Sequence, residues 1–401
     1  MRAHADSSIP VSEPPGTVAG LHLLEASMHW GVAQGVQRLR ASRQERMSQQ
    51  GWQHTVMAPG VRGAGQLDCG GLPLPGAGGG RLLLRRGRAE RLIEQARPDI
   101  VEVADPCALA WAALSATTRL GVPAVAACHG NLPALAARVA GARHGDWAAS
   151  KARDYLLRLY EHFDLVLSPC RGLTAALQGW GIRQAVHQPL GIDCKVFHPG
   201  AAEPAWRHGL CLRLGLNPRT RLIVCTGRFG KLPLLARAIA RLGEGHALIA
   251  VGAGAGEARG RNVFALPMEK DGRRLATLLA SCDAYVHTDE QQTFGLGVLE
   301  AMACGTPVVS TSRGCLGEWV KGVATRVDTA SSPAWAEALA ACLDPQDWQA
   351  RRLAQAALER ASTHDWDVVL PQQLVRYQRV IRRHAVEPLA NPAVGVMGAA
   401  Q

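Results

Sequence analysis

One segment in the C-terminal half of the sequence, HTDEQQTFGLGVLEAMACGTPVVS at 287–310, concentrates residues that can bind an anionic ligand. Its pattern predicts a strand that ends at His287, a polar loop, and a helix that starts near Gly295. Free amides and the helix dipole at such a start favour a phosphate group. Glu300 would then lie beside that group, where its carboxylate can accept hydrogen bonds from ribose hydroxyls. The alternative is a capped helix of the core with a solvent-facing glutamate.

Two cations follow another predicted strand, in CTGRFGK at 225–231. Arg228 and Lys231 can offset charge that builds up on a leaving group, which stabilises a transition state electrostatically. The alternative is a pair of solvated surface cations. VGAGAG at 251–256 combines a strand end with a glycine turn around Gly254, a pattern that is weak by itself.

A histidine, His129, stands between a predicted buried strand and Gly130. An imidazole at a strand end can donate to a hydroxyl or relay a proton, because its ordinary pKa lies near neutrality. A lone histidine is more often structural, so the position alone leaves both interpretations open. Asp105 follows another predicted strand in the same way.

The elements that must position these residues alternate between short apolar runs and helical patterns. The predicted strands are 21–26, 54–58, 100–103, 124–127 and 165–167 in the first half, and 221–226, 246–251, 263–265, 284–287, 308–310 and 324–327 in the second. A Pro- and Gly-rich stretch at 189–204 separates the two series and predicts a linker, while 70–80 predicts a loop. Two such parallel, doubly wound domains place a ligand in the cleft between them, at the carboxyl ends of the strands.

The composition of the 401-residue chain narrows the function classes. Lys and Arg number 44 against 33 Asp and Glu, and the formal net charge of +11 favours anionic partners. Apolar residues at 47% exclude a disordered chain, and 43 glycines fit an α/β protein with many turns. Eleven cysteines without a C-x-x-C pair predict reduced thiols, and the Cys and His spacing predicts no metal site. We expect neither a signal peptide at 1–20 nor a membrane-spanning helix.

The 287–310 segment resembles the donor-site signature of the retaining glycosyltransferases of family 4, which have the GT-B fold. The family pattern is E-x7-E followed by A-M-A-x-G-x-P-V-V. The residues that match are Thr293, Phe294, Gly295, Glu300, Met302, Gly305, Pro307, Val308 and Val309. The resemblance implies that Glu300 binds the ribose of a nucleotide sugar. It also implies that the amides of Gly295 and Leu296, next to Phe294, meet the diphosphate.

The resemblance extends over most of the chain. GIDCKVFHP at 191–199 is similar to the family's interdomain segment, and the stretches at 98–111 and 121–141 look like a glycolipid-forming branch. The further site residues that the resemblance implies are Arg228 and Lys231 for the diphosphate, Gly254 near the nucleobase, Gly35 for the sugar phosphates, His129 for the donor sugar and Asp105 for the acceptor pocket.

Three positions depart from the family pattern. Gln292 stands where the family has its first glutamate, which contacts the hydroxyls of the transferred sugar; an amide can still bond to them but carries no charge. Glu290 lies two residues earlier and would need a shifted loop to replace that glutamate. Gln34 replaces the first glycine of the loop that holds Gly35. Lys231 follows Arg228 by three residues, where the family usually has five. The departures leave open a second interpretation, a degenerate relative that binds a nucleotide sugar without turnover.

The implied architecture is α/β, a GT-B fold of two Rossmann-like, doubly wound domains that face a cleft, with a C-terminal helix that returns to the N-terminal domain. The predicted divisions are a flexible tail at 1–19, an acceptor domain at 20–195, a nucleotide-sugar domain at 196–366, the returning helix at 367–386 and a flexible tail at 387–401.

The implied activity is a retaining, metal-independent transfer of a hexose to a hydroxyl of a lipid or lipid-linked glycan. The donor would be a UDP-sugar by preference, with GDP-mannose as the other choice. A front-face reaction is implied, in which the leaving diphosphate takes the acceptor proton. His129, Arg228, Lys231 and Gln292 are then the catalytic residues, and no cofactor is expected.

An arginine-rich stretch at 36–97 suggests a membrane partner. It holds eleven Arg, no Lys and four acidic residues, with leucines between the cations. A basic amphipathic surface docks on anionic lipid, so we expect a cytoplasmic protein that is peripheral on the inner face of the cytoplasmic membrane. The alternative is a solvated basic face. No nucleic-acid partner is expected, since the chain lacks an aromatic stacking platform and a recognised motif.

Overall fold

A computed structural model of the chain describes residues 20–28, 34–61, 63–73, 81–83, 85–227, 231–252, 260–290 and 292–386. The tails predicted at 1–19 and 387–401 lie outside the described residues. So do two of the predicted site residues, Arg228 and Gly254.

The described residues form fifteen β-strands and thirteen α-helices. In chain order the strands are β1 (His22–Ala26), β2 (Gln53–Ala58), β3 (Gln66–Asp68), β4 (Leu72–Pro73), β5 (Arg81–Leu82), β6 (Ile100–Val103), β7 (Ala124–Ala127), β8 (Leu165–Ser168), β9 (Ala185–His187), β10 (Arg221–Thr226), β11 (His246–Val251), β12 (Val263–Leu266), β13 (Ala284–His287), β14 (Val308–Thr311) and β15 (Thr325–Val327). The helices are α1 (Gln34–Gln49), α2 (Arg86–Ala96), α3 (Ala108–Leu120), α4 (Leu132–Tyr160), α5 (Arg171–Gly179), α6 (Pro204–Arg213), α7 (Leu232–Leu242), α8 (Gly272–Ala280), α9 (Leu296–Ala303), α10 (Gly314–Trp319), α11 (Ser332–Leu343), α12 (Trp348–Ser362) and α13 (Trp366–Val386).

Two parallel sheets organise the molecule. The first has the strand order β3-β2-β1-β6-β7-β8-β9, and the second has the order β12-β11-β10-β13-β14-β15. Strands β1, β6 and β7 are buried along their whole length, as parallel strands are when helices cover both faces of a sheet. The prediction of two Rossmann-like, doubly wound halves is therefore confirmed.

The strand order of each sheet reverses once near its centre. The reversal falls between β1 and β6 in the first sheet and between β10 and β13 in the second. Loops that leave such neighbouring strands diverge and open a crevice at the carboxyl ends of the strands. In the first sheet, Ser27 Oγ donates to Asp105 Oδ2 at 2.9 Å and joins the two loops. In the second sheet, the loops after Thr226 and His287 flank the crevice.

The last helix, α13, packs on the first half of the molecule. Its residues Trp366, Leu370 and Tyr377 lie in one buried cluster with Leu23 of β1 and Ile100 of β6. The predicted return of the C-terminal helix to the N-terminal half is confirmed. This packing buries large apolar side chains from both ends of the sequence, which ties the second half of the chain to the first.

The Gly- and Pro-rich stretch at 70–80 contains one strand that the sequence analysis does not predict. Leu72–Pro73 pairs with Arg81–Leu82 as a short antiparallel ladder, and residues 74–80 lie outside the described residues. Two residues are too few to show a periodic pattern in the sequence, so this strand can be recognised only from its pairing in the structure.

Helix α4 consists of two helical segments that meet at Gly141, where φ is 71° and ψ is 179°. A Cβ placed on Gly145 would lie 3.2 Å from the carbonyl oxygen of Ala137, so the backbones of the two segments pack closely at this break. A positive φ favours glycine, which makes Gly141 the residue that permits the bend. We call residues 135–153 the α4 corner.

Helix α1 holds four of the eleven arginines that the sequence analysis assigns to a basic surface, and the structure corrects that assignment. Arg40 Nε lies 2.5 Å from Glu25 Oε1, and Arg43 donates two hydrogen bonds to Glu102 at 2.9 and 2.8 Å. Both arginines are buried, and their partners lie on β1 and β6 under the centre of the first sheet's crevice. These cations therefore hold the helix to the sheet and do not face a lipid.

The rest of the arginine-rich stretch is only partly available as a surface. Leu83 and Ile93 are buried in the core of the first half, so these apolar residues also point away from a membrane. The exposed arginines are Arg85, Arg86, Arg88, Arg91 and Arg97. No helix among the residues that the structure describes is long and apolar enough to cross a membrane.

Candidate functional site

Predicted site residues from both halves line one cavity of about 810 Å³ between the two sheets. Asp105 and His129 come from the first half, and Lys231, Glu290 and Gln292 come from the second. The loops that carry them follow β6, β7, β10 and β13, so the carboxyl ends of four strands converge on the cavity. This is the place where doubly wound sheets bind their ligands.

His129 is held by hydrogen bonds on both sides of its loop. Asn131 caps α4, since its side chain accepts a bond from the amide of Ala134 at 3.1 Å. Thr293 Oγ1 donates to the carbonyl oxygen of His129. Because Thr293 precedes α9, this bond joins the two halves of the molecule at the residue that is expected to contact the donor sugar.

The protein around His129 favours the neutral form of its imidazole. The residue is exposed to the cavity between the halves. The surrounding protein lowers the pKa of His129 from its ordinary value of 6.5, because burial disfavours the charged form; Glu102 opposes this shift and Arg40 adds to it. A neutral imidazole has one donor and one acceptor nitrogen, and it can therefore hold a hydroxyl in either direction.

Helix α9 starts at Leu296 directly after Gly295, and no side chain caps its first turn. The amides of a first turn have no acceptor within the helix, so they are available to an anion. A Cβ on Gly295 would lie 2.9 Å from Val298 Cγ2, and a Cβ on Gly297 would overlap the hydroxyls of Thr226 and Tyr285. Glycine at these two positions lets the start of α9 approach the ends of β10 and β13.

Glu300 lies on α9 and is buried, with 4% of its surface exposed. Burial raises the pKa of the Glu300 carboxyl, and the Arg38 guanidinium opposes that shift. Arg38 donates to Glu300 Oε1 at 2.9 Å from helix α1, so the carboxylate that is expected to bind ribose already has one charged partner from the other half.

Lys231 and Glu290 form an ion pair inside the cavity, with Lys231 Nζ 2.5 Å from Glu290 Oε1. Both side chains are about one third exposed, at 37% and 33%, and so they can exchange partners when a ligand enters. Position 292 holds an amide, but the cavity nevertheless contains a carboxylate two residues earlier. Glu290 and Gln292 line the same cavity, and a contact of Glu290 with sugar hydroxyls stays a prediction.

Two predicted donor-site residues have different surroundings from those expected. The ring of Phe294 packs against Trp319 and His364, with centroid distances of 4.9 and 5.7 Å, so its side chain belongs to an aromatic cluster. The residue also lines a second cavity together with His129 and Leu296. Gly35 lies in the first turn of α1 and not in a loop before it. Its amide still lacks a helical acceptor there, so a phosphate contact stays a prediction.

No pattern in the sequence predicts Arg38 as a site residue, and Glu290 is predicted only on the condition that its loop shifts. The partner of Arg38 lies 262 positions away in the chain, and no local pattern signals such a pairing. Glu290 has a weak signal, a carboxylate close to the position where the family pattern has one.

Among the residues of the two sheets and their connections that the structure describes, no group of three or more His, Cys, Asp and Glu side chains is arranged to hold a metal ion. Independence from metal stays a prediction.

Two parallel halves with a ligand cavity at the converging strand ends define the GT-B class of glycosyltransferases. A structure of HepE from Anabaena in complex with UDP-glucose has a TM-score of 0.67 and 16% sequence identity to this chain, and the match covers 90% of this chain and 99% of that one. At this identity the likeness shows the fold.

The family follows from the sequence itself. The model of Glycosyltransferase Family 4 matches residues 33–196, and that of Glycosyl transferases group 1 matches residues 220–345. The chain belongs to the glycosyltransferases of family 4.

Two curated relatives are mannosyltransferases. A GDP-mannose-dependent alpha-mannosyltransferase of Mycolicibacterium smegmatis is 28% identical over 299 residues, which are 72% of this chain and 76% of that one. A GDP-mannose-dependent alpha-(1-6)-phosphatidylinositol dimannoside mannosyltransferase of Mycobacterium tuberculosis is 29% identical over 265 residues, 61% of this chain and 65% of that one. The chain spans about half to three quarters of the length of the curated relatives it matches. These comparisons give no support to the interpretation as a degenerate relative.

Proposed function

We propose that the protein transfers a hexose from a nucleotide sugar to a hydroxyl of a lipid or lipid-linked glycan, with retention of the anomeric configuration. The observation that carries the proposal is the position of Leu296 at the uncapped start of α9, which lines one cavity together with His129 and a second, smaller cavity together with the buried Glu300. An anion-binding helix end, a ribose acceptor and a sugar-facing imidazole are the three parts that a nucleotide-sugar site needs.

GDP-mannose is the first donor to test. Both relatives described above carry GDP-mannose in their names, and they are more similar in sequence to this chain than the UDP-glucose-bound HepE is. The sequence analysis favours UDP-sugars, so UDP-glucose is the matched comparison.

The proposed reaction proceeds on one face of the sugar. The acceptor hydroxyl attacks the anomeric carbon on the side from which the nucleoside diphosphate leaves, the bond from the anomeric carbon to the diphosphate oxygen breaks, and that oxygen takes the hydroxyl proton. Lys231 leaves Glu290 to meet the developing diphosphate charge, together with the amides of α9. His129 and Gln292 hold sugar hydroxyls, and Glu300 holds the ribose.

An assay of nucleoside diphosphate release tests this proposal. The full chain is incubated with GDP-mannose or UDP-glucose and with vesicles of phosphatidylinositol, with and without EDTA, and the anomeric configuration of the product is read by nuclear magnetic resonance. We expect release that depends on the vesicles, an α-linked product from the α-linked donor, and no loss with EDTA. Loss of turnover with EDTA would show that the prediction of metal independence is wrong. A product with the inverted anomeric configuration would show that the prediction of retention is wrong.

The Gln292→Glu variant tests the departure from the family pattern. Because Glu290 already supplies a carboxylate in the cavity, we expect the wild type to be active. The turnover rate of the variant should lie within about tenfold of the wild-type rate, since the substitution replaces a neutral hydrogen-bonding group with a charged one at a single contact. If Gln292→Glu releases nucleoside diphosphate and the wild type does not, the interpretation as a degenerate relative is supported instead.

The α4 corner is the surface that we propose meets the lipid. Val139, Trp147 and Leu135 are 79%, 66% and 44% exposed. Four cations and one carboxylate accompany them within 135–153. Leu135 and Arg138 also line the cavity that holds His129, so the corner continues into the acceptor side of the cleft. Exposed apolar and aromatic side chains among cations suit an anionic bilayer surface.

A further inference from the structure

Arg38 reaches from helix α1 across the cleft to the second half of the molecule. Arg38 Nη2 lies 2.9 Å from Glu300 Oε1, and Arg38 Nη1 donates to the carbonyl oxygen of Glu269 at 3.1 Å. The side chains of Arg38 and Glu300 are 16% and 5% exposed, so the ion pair is largely shielded from water. Both contacts exist only while the two halves are together.

The helix that carries Arg38 is held rigidly. Arg40 and Arg43, further along α1, pair with Glu25 of the central strand β1, and Arg46 pairs with Asp193 at 2.9 Å. A side chain on a helix fixed at several points is presented in a constant position. Arg38 is therefore suited to orient a partner.

The charge of Glu300 depends on Arg38. Burial favours the neutral form of Glu300 and raises its pKa, and Arg38 is the group that opposes this shift. The other titratable groups that face Glu300 are Tyr285 on β13 and Cys304 at the end of α9, while Asp193 lines the same small cavity. None of these three is a cation, so within the described surroundings Arg38 is the positive charge that favours the ionised carboxylate.

We propose that Arg38 is a positioning residue for the nucleotide, which pairs with the Glu300 carboxylate and fixes its orientation across the cleft. The inference rests on the proposed role of Glu300 as the ribose ligand. A carboxylate has two oxygens, so Glu300 can keep Arg38 on Oε1 and accept a ribose hydroxyl on the other. An ionised acceptor makes the stronger hydrogen bond, so nucleotide affinity depends on an arginine from the opposite half.

Calorimetric titration of the full chain with GDP and with UDP between pH 5.5 and pH 8 tests the inference. We expect Arg38→Ala to weaken binding roughly tenfold at pH 7, which is the size of one charge-assisted hydrogen bond. The deficit should grow as the pH falls, because Glu300 takes up a proton at higher pH when Arg38 is gone. Arg38→Lys should restore part of the affinity, and Arg38→Ala with Glu300→Gln should bind no more weakly than Glu300→Gln alone.

Arg46→Ala is the matched control, since it removes other ion pairs of the same helix, to Asp193 and Asp367, without touching Glu300. If Arg38→Ala binds nucleotide as tightly as the wild type, the inference is wrong. It is also wrong if Arg38→Ala and Arg46→Ala both lose the same factor of nucleotide affinity at every pH, because Arg38 then has only a structural role. If Glu300→Gln binds like the wild type, the ribose role of Glu300 fails as well. A loss in Glu300→Gln without a loss in Arg38→Ala overturns the inference alone. Should Arg38→Ala not fold, Arg38→Lys and Arg38→Gln give the same comparison.

Discussion

At the scale of the residue, the state of ionisation decides what each side chain of the cleft can do. The protein around His129 lowers the pKa of its imidazole and favours the neutral ring, whereas burial raises the pKa of Glu300 and Arg38 opposes that rise. Lys231 is held by Glu290 until a stronger anion replaces that carboxylate. The donor site thus contains cations that are already paired, and a diphosphate must compete with carboxylates for them.

The pH profile of turnover should show the state of His129. With its pKa below 6.5, the imidazole is neutral throughout the range from pH 7 to pH 8, and it becomes protonated only as the pH falls further. We expect kcat/KM to be flat above pH 7 and to decline on the acid side with an apparent pKa below 6.5. In His129→Asn this limb should be absent and kcat should drop about a hundredfold. A limb that persists unchanged in His129→Asn would assign it to another group.

The residues that the sequence indicates are those with a local signal. His129 follows a buried strand and Gln292 lies in the 287–310 motif, and both line the cavity between the sheets. Glu300 of the same motif lines a smaller cavity beside Arg38, and the binding roles of all three residues stay predictions. Arg38 has no such signal, because its type also fits an exposed basic helix and its partner is far away in sequence. Composition cannot tell a buried arginine from a surface one.

At the scale of the element, helix α1 and helix α13 are fastened to the first sheet by one buried polar network. Arg43 on α1 and Tyr377 on α13 both donate to Glu102 on β6, and Gln373 donates to the Tyr377 hydroxyl at 2.7 Å. All four residues are buried. Each polar group in such a place needs its partner, because an unpaired buried charge is costly.

Glu102→Gln should lower the free energy of unfolding at pH 7 by about 3–5 kcal/mol, the usual cost of breaking a buried ion pair. The variant leaves Arg43 without its bidentate carboxylate. Urea titration followed by circular dichroism measures the loss. Arg119→Ala is the control, since Arg119 also meets two carboxylates but is 48% exposed, and its loss should cost at most about 1 kcal/mol. Equal losses in the two variants would contradict a special role for the buried network.

The same network predicts how stability responds to acid. Burial opposes ionisation of Glu102, but Arg43 outweighs it and holds the folded-state pKa of Glu102 below the ordinary value of 4.5. Its contribution is therefore present above the unfolded-state pKa and is lost as the pH falls below about 4.5. Between about pH 5 and pH 3 the wild type should lose more stability than Glu102→Gln.

Elements were predictable where burial imposes a pattern. Strands such as Ile100–Val103 and Arg221–Thr226 are apolar runs between turns, and the structure has them at those residues. The break of α4 at Gly141 was not predictable, because a glycine within a helical pattern is compatible with a continuous helix.

At the scale of the whole molecule, the two halves touch through side chains that also belong to the site. Thr293 binds the carbonyl of His129, and Arg38 binds Glu300, so residues of the candidate site also join the two halves. The cavity that holds His129 is continuous with the α4 corner through Leu135 and Arg138.

Vesicle flotation should show which surface meets a membrane. We expect the wild type to float with vesicles that contain phosphatidylglycerol and not with pure phosphatidylcholine. Val139→Glu with Trp147→Glu should lose this binding, because two apolar anchors become anionic. The matched control is Arg85→Glu with Arg88→Glu on α2, which should weaken binding only by the charge contribution of about 1 kcal/mol per cation. If only the variant with Arg85→Glu and Arg88→Glu loses vesicle binding, the docking surface is the arginine-rich stretch at 36–97 instead.

The interior arginines of α1 also limit how such enzymes can be recombined. A chimera that takes the whole N-terminal half from a relative, in order to change the acceptor, imports a foreign α1 and keeps Glu300 and Asp367 of this chain. If the imported helix has no arginine at the positions of Arg38 and Arg46, both carboxylates lose their cations, and the buried Glu300 is left with an uncompensated charge. A chimera should therefore exchange the N-terminal half together with the residues on α9 and α13 that contact α1.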